Sequence, residues 1–215
     1  MRFKKLLLSI FMLSTMTVSA QDWSTDTYQY SELYEGYVIT TDGVKIEGFI
    51  KYRNRYVMQE EVIMFKSKED ERSKTKYDTE DLAEYHVGDK TYHCINYSGG
   101  AGIDVRANLL VSDDGCIKEY VWYERASGYN KLIQRKGESD EDFGARKYPP
   151  TTVFYKSGDG MGVTADFFKN DFSKKMASYV SDNKVLAKKI KKGENGYTKL
   201  LNMRAIFAEY NKDCQ

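Results

Sequence analysis

The stretch Gly36 to Asn54, GYVITTDGVKIEGFIKYRN, constrains this chain more than any other. Asp42-Gly43 lies between two runs of alternating side chains, the pattern of a β-hairpin closed by a two-residue turn. Such a turn sets Thr41 against Val44, Ile39 against Ile46 and Tyr37 against Gly48. Side chains alternate with period two. One face then gathers Tyr37, Ile39, Val44, Ile46, Ile50 and Tyr52, and is expected inward. The other carries Val38, Thr40, Lys45, Glu47, Phe49, Lys51 and Arg53. A slip of one residue would exchange the two faces.

More strand follows. Glu61 to Lys66 is short and apolar, and a charged loop runs from Lys68 to Lys76. Asp78 is placed to cap a helical turn over Thr79 to Ala83. A second hairpin runs from Glu84 to Tyr97 around Gly88-Asp89. Val105 to Val111 and Ile117 to Arg125 come next, the latter apolar on both faces as a central strand should be. After Ser127-Gly128 the chain continues through Tyr129 to Arg135 and a charged loop, Lys136 to Pro150. Thr151 to Lys156 and Gly162 to Ala165 make a last pair.

From Asp166 the period changes. Phe168, Phe172, Met176, Tyr179 and Val180 recur at helical spacing. A second helix, capped by Ser181 or Asp182, carries Leu186 and Ile190 and stops at Gly193. A third covers Tyr197 to Asn211. Phe172, Leu186, Leu201 and Phe207 are expected buried, with Lys174, Lys175, Lys188, Lys189, Lys191 and Lys192 outside. Strands first and helices last read as α+β: an antiparallel β-meander forming a curled sheet or partly open barrel, then about three C-terminal α-helices. Residues 21–165 form the β-rich body, and residues 166–215 a helical segment packed on the same domain.

Met1-Arg2-Phe3-Lys4-Lys5, an apolar run to Val18, and Val18-Ser19-Ala20 read as a signal peptide over residues 1–20, cut after Ala20. The apolar run is short of the roughly 20 residues that span a bilayer. The cleaved chain is therefore expected to be exported to the periplasm, the periphery of the outer membrane or the medium, and not to be an integral membrane protein. Cys94, Cys116 and Cys214 would then meet an oxidising compartment. Three cysteines allow one bridge and a leftover thiol, and spacing does not choose the pair. From Lys169 to Gln215 there are 11 basic and 5 acidic residues, so a basic tail follows an acidic body. That tail suits the chain's own sheet or an anionic partner. The cleaved chain is mildly acidic as a whole and has no nucleic-acid reader motif, which excludes that class.

The order of GYVITTDGVKIEGFIKYRN, EVIMFK, KYDTEDLAEYHVGDKTY, YERASGYNKLI and a terminal FAEYNKDC resembles a loose group of secreted proteins of unknown function from Gram-negative bacteria of the flavobacterial type. Members close a helix-rich end on a Tyr-Asn pair, matched here by Tyr210-Asn211. The resemblance implies localisation and order of elements, and carries no catalytic residue.

Few residues suggest chemistry. A two-residue Gly88-Asp89 turn places His86 opposite Thr91 with His93 diagonal on the same face, so two imidazoles could share a metal with a carboxylate or titrate together. Cys94 points to the other face. Two ligands fall short of the four a structural zinc takes. Gly99 to Gly102 and Gly158 to Gly162 lack phosphate-loop spacing and read as turns. There is no nucleophile elbow and no calcium-loop pattern, so no catalytic residue or cofactor is assigned. Tyr120, Trp122 and Tyr123 could form a stacking platform for sugars, although aromatic residues are also favoured strand formers. Lys188, Lys189, Lys191 and Lys192 are the candidate contacts for an anionic surface. The sequence thus points to a non-enzymatic exported protein acting through an envelope protein or anionic surface. A barrel for a small apolar or glycan ligand is the alternative, and an enzyme the least favoured class.

Overall fold

The computed structural model describes residues 28–98 and 104–214. Residues 1–20, expected as a signal peptide, and the Gly99 to Gly102 run lie outside them. Ten strands form one antiparallel sheet: β1 Leu33–Thr40, β2 Lys45–Lys51, β3 Glu61–Phe65, β4 Thr75–Asp78, β5 Leu82–Val87, β6 Lys90–Ser98, β7 Asp104–Asp113, β8 Ile117–Tyr123, β9 Pro150–Lys156 and β10 Val163–Thr164. Their spatial order is β10-β9-β8-β7-β6-β5-β1-β2-β3-β4. The fold is α+β, with a curled sheet that does not close into a barrel.

The first hairpin forms, but one residue out of the expected register. Val38 faces Ile46 and Gly36 faces Gly48. The turn holds three residues, not two: Gly43 N–H donates to Thr40 O at 2.9 Å, and Thr40 N–H donates to Val44 O at 3.0 Å. Gly43, at φ +85°, supplies the left-handed residue that ends such a loop in a bulge. The extra residue reverses β1 alone. Val38 is fully buried, while Tyr37 and Ile39 face outward. Beyond the turn Ile46, Ile50 and Tyr52 pack inward as expected, while Val44, expected with them, is 50% exposed.

The meander is broken once, because β5 pairs with β1 and not with β4. Only Thr79 to Asp81 join β4 to β5, in a turn where a helical turn was expected. In a flat sheet β4 and β5 would stand four spacings apart, about 19 Å, and four residue steps reach only about 14 Å. The sheet must therefore curl, and its first half wraps a core of Val38, Ile50, Met58, Val62, Leu82, Tyr85 and Tyr92. The second half curls the opposite way. There Gly162 bridges Tyr97 and its N–H donates to Asn96 O at 2.8 Å, enclosing Tyr97, Leu109, Tyr120 and Val153 on the other face.

The helices are α1 Asp140–Lys147, α2 Ala165–Lys169, α3 Phe172–Tyr179, α4 Lys184–Lys192 and α5 Met203–Asp213. α1 occupies part of the expected charged loop, and its Ser139 hydroxyl accepts from Asp142 N–H. The single helix expected from Asp166 is two, because Asn170 is extended and Asp171 sits at φ +58°. Asn183, not Ser181 or Asp182, caps α4, and Gly193 ends it as expected. The helices pack on Ile117 and Phe154 of the sheet through Phe168, Met176, Leu186, Ile190, Ile206 and Phe207. Phe172, Leu186 and Phe207 are buried. Leu201 is 81% exposed, because a 3-10 turn at Leu200–Asn202 precedes α5 and moves it out of the expected helical stripe.

Strand β8 is gripped at both ends by a side-chain amide. Tyr123 lies beyond the last β7–β8 pair at that end, Leu110 with Val121. Gln59 takes the missing strand's place, accepting from Tyr123 N–H at 2.5 Å and donating to Tyr123 O at 3.0 Å. At the other end Asn211 of α5 accepts from Ile117 N–H at 2.8 Å and donates to Ile117 O at 3.0 Å. A disulfide between Cys116 and Cys214 holds the same end. Cys94 is the free, buried thiol.

Candidate functional site

The second hairpin has the expected two-residue turn, and the histidines fall where that turn puts them. His86 faces Thr91 and Glu84 faces His93. The two imidazoles have separate partners. His86 Nδ1 lies 2.9 Å from Thr91 Oγ1, and its ring stacks on Tyr37 with centroids 5.3 Å apart. His93 Nε2 lies 3.4 Å from Glu84 Oε2, and Nδ1 lies 2.9 Å from the Tyr120 hydroxyl. The Tyr37 hydroxyl donates to Glu84 Oε1 at 2.7 Å.

A carboxylate only accepts. The nitrogen facing Glu84 therefore carries the proton, and Nδ1 accepts from Tyr120. The result is one polar chain, Tyr37–Glu84–His93–Tyr120, crossing from β1 to β8. Burial, assisted by Lys118, holds His93 below its ordinary pKa against the pull of Glu84 and Asp114. The Tyr37 hydroxyl is pushed up to about 12, first by its hydrogen bond to Glu84 and then by burial. Neutral imidazole and protonated phenols make this a fixed network. Among the described residues no group of three or more His, Cys, Asp or Glu side chains could hold a metal ion.

Tyr120 and Trp122 share the outer face of β8, and Tyr123 lies on the inner face with Arg55 over its ring at 5.2 Å. Tyr120 and Tyr123 are buried and Trp122 half-buried beside Tyr97. The three are not brought together as one platform.

On α4, Lys188, Lys191 and Lys192 are exposed, as are Lys184 and Val185. Lys189 is half-buried and binds Glu209 at 2.6 Å, which raises its pKa. Glu209 also accepts from the Tyr197 hydroxyl at 2.7 Å. Lys184, Lys188 and Lys191 have no acidic partner among the described residues, and Lys192 has Glu194 at 3.7 Å.

Sequence reasoning missed a furrow of about 540 Å³ on the outer face of β1 and β2, lined by Glu35, Tyr37, Glu47, Phe49, Lys66 and His86. It also missed Glu84, although the Gly88-Asp89 turn that sets His86 against Thr91 sets Glu84 against His93. Tyr120 required the β7–β8 register, which slips between Val111 and Asp113 with no local signal. No family model matches the chain, and no curated protein or solved structure is found similar to it.

Proposed function

We propose that this chain is a non-enzymatic, exported protein of the cell envelope that docks through the outer face of α4 on a surface of acidic lipid headgroups. The observation that carries the reading is α4 itself, KVLAKKIKK, with five lysines and no acid. Leu186, Ala187 and Ile190 turn inward, so Lys184, Lys188, Lys191 and Lys192 share an outer arc beside Val185, which is 67% exposed. Basic residues with an apolar side chain among them suit an anionic interface. Each lysine near such a surface contributes about 1 kcal/mol, so four give a reversible attachment near the millimolar range.

The filled interior supports a surface mode of action over a ligand inside the sheet. Tyr85, Tyr92, Tyr97, Tyr120 and Tyr123 occupy both curled halves and are almost wholly buried. The signal-peptide pattern and the resemblance to secreted flavobacterial-type proteins support the location. The test is cosedimentation with phosphatidylcholine vesicles, with and without phosphatidylglycerol, across a sodium chloride series. Binding only to the anionic vesicles, weakening steeply with salt and lost on Lys184, Lys188 and Lys191→Glu, is expected. Equal binding to neutral vesicles, or indifference to salt, overturns the reading.

A further inference from the structure

We propose that the furrow on the outer face of β1 and β2 is a binding site for a neutral oligosaccharide. Its origin is the curl of the sheet. Gly36 and Gly48 face one another across the two strands. A Cβ on Gly36 would lie 2.0 Å from His86 O, and one on Gly48 would lie 2.4 Å from Phe65 O. Neighbouring backbone therefore closes in on this glycine row. The bend fans the outward side chains apart: Glu35 and Phe49 stand on one side of the row, Tyr37 and Glu47 on the other, with His86 beside Tyr37.

The lining selects the chemistry. Glu35 and Lys66 have no side-chain partner among the described residues, and Thr91 holds Nδ1 of His86, which leaves Nε2 facing outward from that bond. An acceptor, a donor and an imidazole nitrogen thus stand near the Phe49 ring, the one left for a sugar to pack on because Tyr37 already stacks on His86 with Lys45 over it. Charge is balanced three against three, because Glu35, Glu47 and the Glu84 carboxylate that accepts from Tyr37 are matched by Lys66 and by the lysines over the rings, Lys45 at 4.2 Å from Tyr37 and Lys68 at 5.3 Å from Phe49. A balanced site gives no strong field to draw a charged ligand. Sugar hydroxyls both donate and accept, and the C–H faces of a pyranose pack on aromatic rings. The furrow also crosses the strands, which does not suit an added peptide strand running along an edge.

The test is titration calorimetry of the full chain with maltohexaose, cellohexaose, xylohexaose and chitohexaose. Saturable binding of at least one, with Kd at or below about 1 mM, is expected. Phe49→Ala should weaken it tenfold or more, and Glu35→Gln, at an exposed position, severalfold with an unchanged unfolding midpoint. Lys188→Glu should leave it unchanged, so this site and the α4 surface stand or fall separately. Absence of saturable heat with all four sugars, or binding that neither furrow variant weakens, overturns the proposal.

Discussion

The two ends of β8 solve one problem in opposite settings. Each leaves a backbone N–H and C=O without a strand opposite, and each receives a side-chain amide that answers both groups. At Tyr123 the amide is Gln59, which is almost wholly buried, so no water can replace it. At Ile117 the amide is Asn211, half-buried, with a disulfide one residue away at Cys116. A dry clamp must be complete, because an unsatisfied buried group carries its whole desolvation cost. A wet clamp can be weaker, because a covalent tie and solvent share its task. The Tyr210-Asn211 ending also has a physical role: Asn211 grips β8, and Tyr210 donates its hydroxyl to Asp182.

The largest effect is expected from the covalent tie. Cys116→Ser with Cys214→Ser removes a link between residues 98 apart in sequence and should cost about 4 kcal/mol in urea unfolding. Cys94 should not substitute for either partner, since burial pushes its thiol up to about 11. Gln59→Leu should cost about 3 kcal/mol by removing both buried hydrogen bonds that its amide makes to the Tyr123 backbone. Asn211→Ala should cost about 1 kcal/mol, as water reaches Ile117. A larger loss at Asn211 than at Gln59 would break the comparison.

The smallest effect is a pH dependence at neither end of β8. The folded chain binds the His93 proton less readily than the unfolded chain, whose imidazole titrates near 6.5. The contribution of His93 to stability is therefore complete above that value and lost progressively as pH falls below it. His93→Gln should flatten the unfolding midpoint between pH 7 and 5. An unchanged slope would show that His93 carries no folded-state shift.

What the sequence revealed depended on range. The second hairpin was legible because a two-residue turn dictates its register, and with it the placement of both histidines. The first was misread because Asp42-Gly43 serves a three-residue loop equally well, with glycine as its last residue. The break at Asn170-Asp171 was hidden inside a helical period, although these residue types tolerate positive φ better than most. α1 did carry a local sign, Ser139 three residues before Asp142, the spacing of a helix cap. The pairing of β5 with β1, the curl it forces and both amide clamps join residues far apart in sequence, and no window of the chain contains them. The furrow inherits that illegibility, since it exists only because the sheet bends at Gly36 and Gly48.

Ten strands in one sheet would ordinarily expose two long ribbons of unpaired backbone to other copies of the chain. Here the outermost strands are β4, four residues long, and β10, two residues long. β4 presents Lys76, already paired with Glu61 and Asp78, and β10 runs directly into α2. Charge and brevity are both defences against sheet-to-sheet growth. Among the described residues the wide sheet therefore offers almost no seam for pairing with another copy, although eight tyrosines are buried in its cores.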